Sequence, residues 1–339
     1  MKVFGYKKCL PVSDPNFLQE FERPVPEVSG RDLLVEIKAI SVNPVDAKVR
    51  NRAEPPEGEY KILGWDAVGT VVKTGSEVEM FKEGDEVWYA GAINRDGANS
   101  QFHLVDERIV SLKPKTLSSG QAAALPLTSI TAWELLFDRL EVSKEEESAI
   151  LIVGAAGGVG SILIQLAKQL TKLKVVATAS RESSQEWVKS LGADCVIDHT
   201  GNFQEQLTAH GIPSVKYAAG LTHTGEHFPQ IAEVIAPQGK FCLIDDPAEP
   251  INIALVKWKS VSIHWEFMFT RSFHQTEDIL EQHRLLKSVS DMVDAGKIKT
   301  TVNNILGTIN LQNLQEAHKL IESQKSIGKI VLENFESQS

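Results

Sequence analysis

A glycine-rich segment in the middle of the chain has the composition of a phosphate-binding turn. It reads Gly154-Ala155-Ala156-Gly157-Gly158-Val159-Gly160 and separates a strand-like apolar run, 150–153, from a helical pattern over 159–170. Gly157 would let the backbone approach a pyrophosphate, Gly160 would permit close packing, and the helix N-terminus offers N–H groups to phosphates. Ala155 stands where strict GxGxxG has its first glycine, yet the strand–turn–helix context predicts a dinucleotide site.

The residues after the next predicted strand indicate which dinucleotide binds. An NAD site usually has Asp or Glu about 20 residues after the glycines, where it binds the ribose 2′-hydroxyl. Here the chain reads Ala179-Ser180-Arg181-Glu182. Arg181 can make a forked contact to a 2′-phosphate and Ser180 can donate a hydrogen bond, so the pattern favours NADPH. Alternatively, Glu182 binds the 2′-hydroxyl, or Arg181 is a solvated loop residue before a helix capped by Ser183.

Composition restricts the partners and the compartment. With 35 basic and 45 acidic residues the net charge is −10, which opposes binding to nucleic acids and anionic membranes. The three cysteines form no CxxC pair, and no apolar run approaches the roughly 20 residues of a membrane helix. The N-terminus lacks the apolar core of a signal peptide. We therefore expect a cytoplasmic protein that binds neither nucleic acid nor membrane.

The elements that must position these residues form two parts of the chain with different secondary-structure patterns. The first 125 residues predict many short strands separated by glycine turns, as in 34–39, where apolar and charged residues alternate. From 149 onward, apolar strand-like runs alternate with amphipathic helical segments, which predicts βαβ units and a parallel sheet. The expected fold class is α/β, with a β-rich part and a doubly wound Rossmann part.

Together these features resemble the medium-chain dehydrogenase/reductase superfamily, in particular its quinone-oxidoreductase branch and the zinc-type alcohol dehydrogenase-like proteins. The matching segments are SVNPVD at 41–46, GWDAVG at 64–69, AALPLTSITA at 123–132, AAGGVG at 155–160, ADCVIDH at 193–199, WEFMFTR at 265–271 and IGKIVL at 327–332. The resemblance implies a GroES-like catalytic domain over 1–125, completed by 268–339, and a Rossmann NADP-binding domain over 126–267. It also implies an active site in the cleft of these domains.

The resemblance further implies the roles of individual residues. The predicted catalytic residues are Asn43, Asp46, Trp65 and Asp66. Besides the glycine-rich turn, Ser180 and Arg181, the predicted cofactor contacts are Thr128 at the nicotinamide ribose, Lys329 at the phosphates, and Phe267 and Phe269, which with Trp265 would form an aromatic wall. Alternatively, the aromatics are core or interface residues, Asp46 braces its loop, Asp66 is a proton donor or a structural acceptor, and Lys329 is a solvated strand end.

The zinc enzymes of the superfamily carry a Cys in the first of these segments and a His-Glu pair in the second. This chain has Asn43 in the first and Trp65-Asp66 in the second. Zinc needs three or four N, S or O donors at about 2.0–2.3 Å, and tryptophan offers none. The pattern from His223 to His227 matches H-x-x-E-H, but Gly225 predicts a loop there. We therefore predict no metal site.

Without a metal, a localised alkoxide would be poorly stabilised, whereas a quinone or an enone gives a delocalised anion that needs less help. The predicted function is zinc-independent, NADPH-dependent hydride transfer to a quinone or an α,β-unsaturated carbonyl. The alternatives are a zinc-dependent alcohol dehydrogenase and a non-catalytic NADPH-binding sensor. The apolar segment 251–269 and the resemblance predict a homodimer.

Overall fold

The structure is a computed structural model, and it describes residues 1–335. The strands are β1 (Lys2–Tyr6), β2 (Gln19–Glu22), β3 (Asp32–Val42), β4 (Lys61–Ile62), β5 (Ala67–Thr74), β6 (Glu86–Tyr89), β7 (Phe102–Asp106), β8 (Val110–Leu112), β9 (Ala149–Val153), β10 (Lys174–Thr178), β11 (Cys195–Ile197), β12 (Val215–Gly220), β13 (Ile235–Leu243), β14 (Ser262–Trp265), β15 (Val302–Ile305) and β16 (Lys329–Glu333). The helices are α1 (Pro44–Arg52), α2 (Ser119–Ala123), α3 (Pro126–Trp133), α4 (Gly158–Leu170), α5 (Glu182–Ser190), α6 (Phe203–Ala209), α7 (Thr224–Val234), α8 (Thr270–His274), α9 (Leu280–Asp294) and α10 (Leu311–Glu322).

The chain divides into two compact units. Unit 1 comprises Met1–Leu127 and Phe269–Ser339, and unit 2 comprises Thr128–Met268. A π-helical turn, Glu134–Arg139, continues α3, and a 3-10 helix, Ile253–Lys259, precedes β14. No helix within residues 1–335 is both long and apolar enough to cross a membrane.

Unit 2 is built on a parallel sheet of six strands in the order β11-β10-β9-β12-β13-β14. The residues of β9 are all buried, which explains why its sequence, AILIV, shows no alternation. Counted from β9, the strand order is 3-2-1-4-5-6, that of a doubly wound dinucleotide fold. In such sheets ligands bind at the carboxyl ends of the strands where the order reverses, here beside β9 and β12.

Unit 1 holds a mainly antiparallel sheet in the order β15-β16-β3-β5-β6-β8, with β7 also paired to β3, and a smaller sheet in the order β2-β1-β4. The alternation over 34–39 belongs to the long strand β3, in which Val35, Ile37 and Ala39 are buried while Glu36 and Lys38 are half-buried. This strand pairs with β5, β7 and β16. Pairing of Ile330 with Val42 places the C-terminal strand next to the end of β3. This register brings residues nearly 300 positions apart together. The architecture confirms the predicted α/β fold class.

Candidate cofactor turn and buried polar network

The glycine-rich turn joins β9 to α4, and its three motif positions differ in their surroundings. Gly154 has a φ of +84°, and a Cβ there would lie 2.7 Å from Cγ2 of Thr222. A Cβ on Gly160 would lie 2.4 Å from the carbonyl oxygen of Ala155. These two glycines are therefore required by the backbone and by packing within the turn.

Gly157 differs, because nothing in the protein explains the absence of a side chain. Its φ of −73° and ψ of 179° suit any residue, and a Cβ would meet only the Gly154 carbonyl oxygen, at 3.5 Å. Gly157 is the N-cap of α4, and the first N–H groups of a helix lack partners within the helix. The turn therefore leaves space, hydrogen-bond donors and a positive helix end for a phosphate group.

The residues that follow β10 lie at the same edge of the sheet. The Gly154 N–H donates to Oγ1 of Thr178, the last residue of β10, at 3.1 Å. Ser180 is half-buried, and Arg181 is exposed as the N-cap of α5. The hydroxyl oxygen of Ser184, in the first turn of the helix, accepts the Arg181 N–H at 3.2 Å, so the alternative in which Ser183 caps the helix was wrong. Ser180 and Arg181 thus follow within three residues of the strand end that contacts the turn, and their role in a 2′-phosphate subsite stays a prediction.

In unit 1 the predicted catalytic residues form a buried network with Lys329. The Asn43 amide Nδ2 donates to Oδ2 of Asp66 at 2.9 Å and to the Trp65 carbonyl at 3.0 Å. The Lys329 ammonium donates to Oδ2 of Asp66 at 2.9 Å and to Oδ1 of Asn43. Burial raises the pKa of Asp66 above its ordinary value. The Lys329 ammonium and the hydrogen bonds that the Asp66 carboxylate accepts act in the opposite direction but do not cancel this effect.

Asp46 lies in the first turn of α1 and ties two loops together. Its Oδ2 accepts the Asn43 N–H at 2.8 Å and its Oδ1 accepts the Gly64 N–H at 2.9 Å. Burial raises the pKa of Asp46 to about 7, although these two N–H groups and Lys329 lower it. These contacts favour the alternative that Asp46 braces its loop.

The predicted aromatic wall is divided in the structure. Trp65 and Phe269 are buried in unit 1 with their rings edge to face, centroids 6.2 Å apart. Trp265 and Phe267 are exposed residues of unit 2, at and just after the end of β14. Thr128 is the buried first residue of unit 2, within α3. The cofactor contacts of Thr128, Phe267 and Phe269 stay predictions.

Lys329 is placed differently from the sequence-based expectation. Its side chain is 4% exposed and its ammonium is engaged by Asn43 and Asp66 inside unit 1, so it is not a solvated strand end. The contact of Lys329 with the cofactor phosphates stays a prediction. Sequence reasoning missed the pair with Asp66 because 263 positions separate the two residues and no local pattern marks them.

The residues in the segments that would hold zinc do not suit that metal. Across residues 1–335, no three His, Cys, Asp or Glu side chains are arranged to hold a metal ion. Both oxygens of Asp66 already accept hydrogen bonds, one of them from an ammonium group. The H-x-x-E-H pattern lies at the start of α7, with His223 as its N-cap and Gly225 within the helix, so the loop predicted there was wrong. His227 instead stacks on Phe203.

Comparison with known proteins agrees with this architecture. Residues 29–120 match the alcohol dehydrogenase GroES-like domain, and residues 191–332 match the zinc-binding dehydrogenase family. A zinc-type alcohol dehydrogenase-like protein of Staphylococcus epidermidis is 38% identical over 98% of this chain and 99% of its own length. The NADPH-dependent alkenal/one oxidoreductase of Arabidopsis thaliana chloroplasts is 32% identical over 91% of this chain and 73% of its own length.

A crystal structure from Rhizobium etli CFN 42, provisionally named as a zinc-dependent alcohol dehydrogenase, superposes with a TM-score of 0.95 at 53% identity, covering 99% of this chain and 98% of that one. The β-rich unit 1 is therefore GroES-like, and the parallel sheet of unit 2 is Rossmann-like. The chain belongs to the medium-chain dehydrogenase/reductase superfamily and is an oxidoreductase.

Proposed function

We propose that this oxidoreductase uses NADPH to reduce a quinone or an α,β-unsaturated carbonyl and that it needs no metal ion. The observation that carries the proposal is the open backbone at Gly157, next to the N-terminus of α4 and at the carboxyl end of β9. This is where a doubly wound sheet binds a dinucleotide pyrophosphate.

The preference for NADPH rests on the end of β10. A 2′-phosphate there would meet the guanidinium of Arg181 and the hydroxyl of Ser180, close to the N-terminus of α5. The acidic residue Glu182 comes two positions after Ser180, inside α5. The related Arabidopsis enzyme is named as NADPH-dependent, which agrees with this preference.

The choice of acceptor rests on what the protein can stabilise. Bound NADPH supplies a hydride from C4 of its nicotinamide ring. Addition of this hydride to the β-carbon of an enone, followed by a proton from water, gives the saturated carbonyl and NADP⁺. The negative charge that develops is delocalised, so the demand on protein groups is small. The name of the Arabidopsis relative, an alkenal/one oxidoreductase, points to the same class of acceptor.

In this proposal the polar network of unit 1 positions the site and does not transfer protons. The Asn43 amide and the carboxylates of Asp46 and Asp66 are buried, and each of their oxygens accepts a hydrogen bond from unit 1. The negative charge of Asp66 is already compensated by the Lys329 ammonium, which would repel a zinc ion at the same carboxylate. The donor set supports the proposed metal independence, since Asn43 and Trp65 stand where the zinc enzymes have ligands.

We further propose a homodimer formed through the edge of the sheet in unit 2. Within residues 1–335, β14 pairs only with β13, so one edge of it is open. The exposed fraction is 57% for Trp265, the last residue of this strand, and 63% for Ile253 and 93% for Trp258, which lie in the 3-10 helix that precedes it in the chain. Large apolar side chains with such exposure are typical of an interface. The cytoplasmic location stays a prediction.

The test is oxidation of NADPH by a 2-alkenal and by a small quinone, measured before and after treatment with a chelator. We expect turnover with at least one acceptor and no loss on chelation. Loss of all turnover, restored by zinc, would identify a zinc-dependent alcohol dehydrogenase. Tight NADPH binding without turnover over a broad set of acceptors would identify a non-catalytic sensor.

A further inference from the structure

Lys329 places a positive charge in the interior of unit 1. Its side chain is 4% exposed, and its Nζ lies 2.9 Å from Oδ2 of Asp66, whose side chain is fully buried. A charge removed from water in this way is stable only when an opposite charge and hydrogen bonds compensate it. Here Asp66, directly before β5, supplies the opposite charge, and Asn43, directly after β3, supplies a further hydrogen-bond acceptor.

The second oxygen of Asp66 binds the start of α3. Its Oδ1 accepts the N–H of Leu127 at 2.8 Å. Pro126, the first residue of α3, has no N–H, so the Leu127 N–H is the first that this helix offers. A carboxylate at this place caps the helix and complements its dipole. Asp66 therefore acts as an N-cap from a distant part of the chain.

We propose that Lys329 is a positioning residue, whose ammonium holds the Asp66 carboxylate against the Leu127 N–H and thereby fixes the first turn of α3. The residue that follows Leu127 is Thr128, the proposed contact of the nicotinamide ribose. This consequence for the cofactor rests on the proposed function, whereas the ion pair and the helix cap do not. The proposal replaces a direct contact of Lys329 with cofactor phosphates.

The first test is NADPH affinity, measured by calorimetry on Lys329→Met, Asp66→Asn and the double variant. Since one charge-assisted bond at the helix start is lost, we expect the NADPH Kd to rise about tenfold in Lys329→Met. Asp66→Asn should give a similar rise, and the double variant no more than either alone. A direct phosphate contact predicts otherwise: Asp66→Asn would release the ammonium and leave affinity unchanged or tighter, and this result would overturn the proposal.

A second ligand measures the binding of the adenosine half of the cofactor alone. Adenosine 2′,5′-bisphosphate lacks the nicotinamide riboside, so its affinity should be the same in the wild type and in all three variants. Equal losses for this ligand and for NADPH would place the effect of Lys329 at the phosphates and would contradict a role through Thr128. Lys329→Arg should restore most of the NADPH affinity. Lys319→Met, an exposed lysine of α10, is the matched control and should change neither ligand.

Urea unfolding tests the ion pair without any ligand. Lys329→Met leaves the Asp66 carboxylate buried and unpaired, so the double variant, which removes both charges, should be more stable than Lys329→Met. Additive losses in the two single variants would overturn the ion pair as a functional unit. If the wild type binds neither NADPH nor NADH, the proposed function fails, while this cycle still decides whether Lys329 acts through Asp66. If Lys329→Met does not fold, Asp66→Asn takes its place, because it leaves the Lys329 ammonium buried and unpaired. The double variant should then have a higher free energy of unfolding than Asp66→Asn.

Discussion

Substitution of two glycines in the same turn separates cofactor binding from folding. Gly157→Ala introduces a methyl group where the protein has no neighbour closer than the Gly154 carbonyl oxygen, at 3.5 Å. Gly160→Ala introduces the same group 2.4 Å from the carbonyl oxygen of Ala155 and 2.5 Å from its Cα. The two variants differ by three positions and carry the same chemical change.

The expected stabilities follow from these distances. For Gly157→Ala, the lower entropy of the unfolded chain stabilises the folded state by roughly 0.4–1 kcal/mol. Alanine is a weaker N-cap than glycine, and this loss destabilises it by about as much. The free energy of unfolding should therefore stay within about 1 kcal/mol of the wild type. For Gly160→Ala the backbone of the turn must move, which costs about 1–3 kcal/mol or more.

The affinity for NADPH should fall in Gly157→Ala even though the stability of this variant stays close to that of the wild type. The methyl group of Gly157→Ala occupies the space proposed for the pyrophosphate, so we expect the Kd to rise at least about tenfold in a fully folded protein. Calorimetry with NADPH, paired with urea unfolding of each variant, makes the comparison. Wild-type affinity in folded Gly157→Ala would refute the placement of the pyrophosphate on this turn.

Two further predictions concern unit 2, and one concerns assembly. Arg181→Ala should weaken NADPH far more than NADH in binding titrations, and equal losses would remove the assignment of the 2′-phosphate. Burial and the nearby Glu134 carboxylate raise the pKa of Glu266, whose Oε2 lies 2.9 Å from Nε of Arg139. Because the folded state binds more protons than the unfolded state between the ordinary glutamate pKa and the raised pKa of about 9, the free energy of unfolding should fall by up to about 1.4 kcal/mol per pH unit in this window. Glu266→Gln should flatten this slope in urea titrations at several pH values, and an unchanged slope would contradict it. Light scattering should show a dimer that Trp265→Lys converts to a monomer, whereas a monomeric wild type would exclude the proposed edge-to-edge assembly.

The local sequence was sufficient to predict the strand, the glycine-rich turn and the helix that follow one another from β9 to α4. A buried strand, a glycine turn and a helix are consecutive in the chain, so the spacing of Gly154, Gly157 and Gly160 predicts their geometry without knowledge of any other segment. Ser180 and Arg181 could be placed for a similar reason, because parallel strands joined by a helix end at the same edge of the sheet. Sequence alone could not show that Gly157 is the glycine with open space, since that depends on which atoms surround it.

The aromatic residues show where local reasoning ends. Phe267 and Phe269 are two positions apart, yet Phe269 packs on Trp65 in unit 1 while Phe267 belongs to unit 2. The wall that they would form with Trp265 stays a prediction. A compact unit is defined by contacts among distant segments, and the residue at which the chain passes from one unit to the next has no mark in its own sequence.

The chemical character of the buried network was readable only in part from the sequence. Residue types alone exclude tryptophan as a metal ligand, and the βαβ pattern is typical of a nucleotide fold. The partners of Asp66 were decided by tertiary structure, because the pairing of β16 with β3 brings Lys329 to it across 263 positions and α3 adds the Leu127 N–H. The physical reason is that sequence patterns report which face of an element is buried, whereas the charge balance of an interior depends on which faces meet.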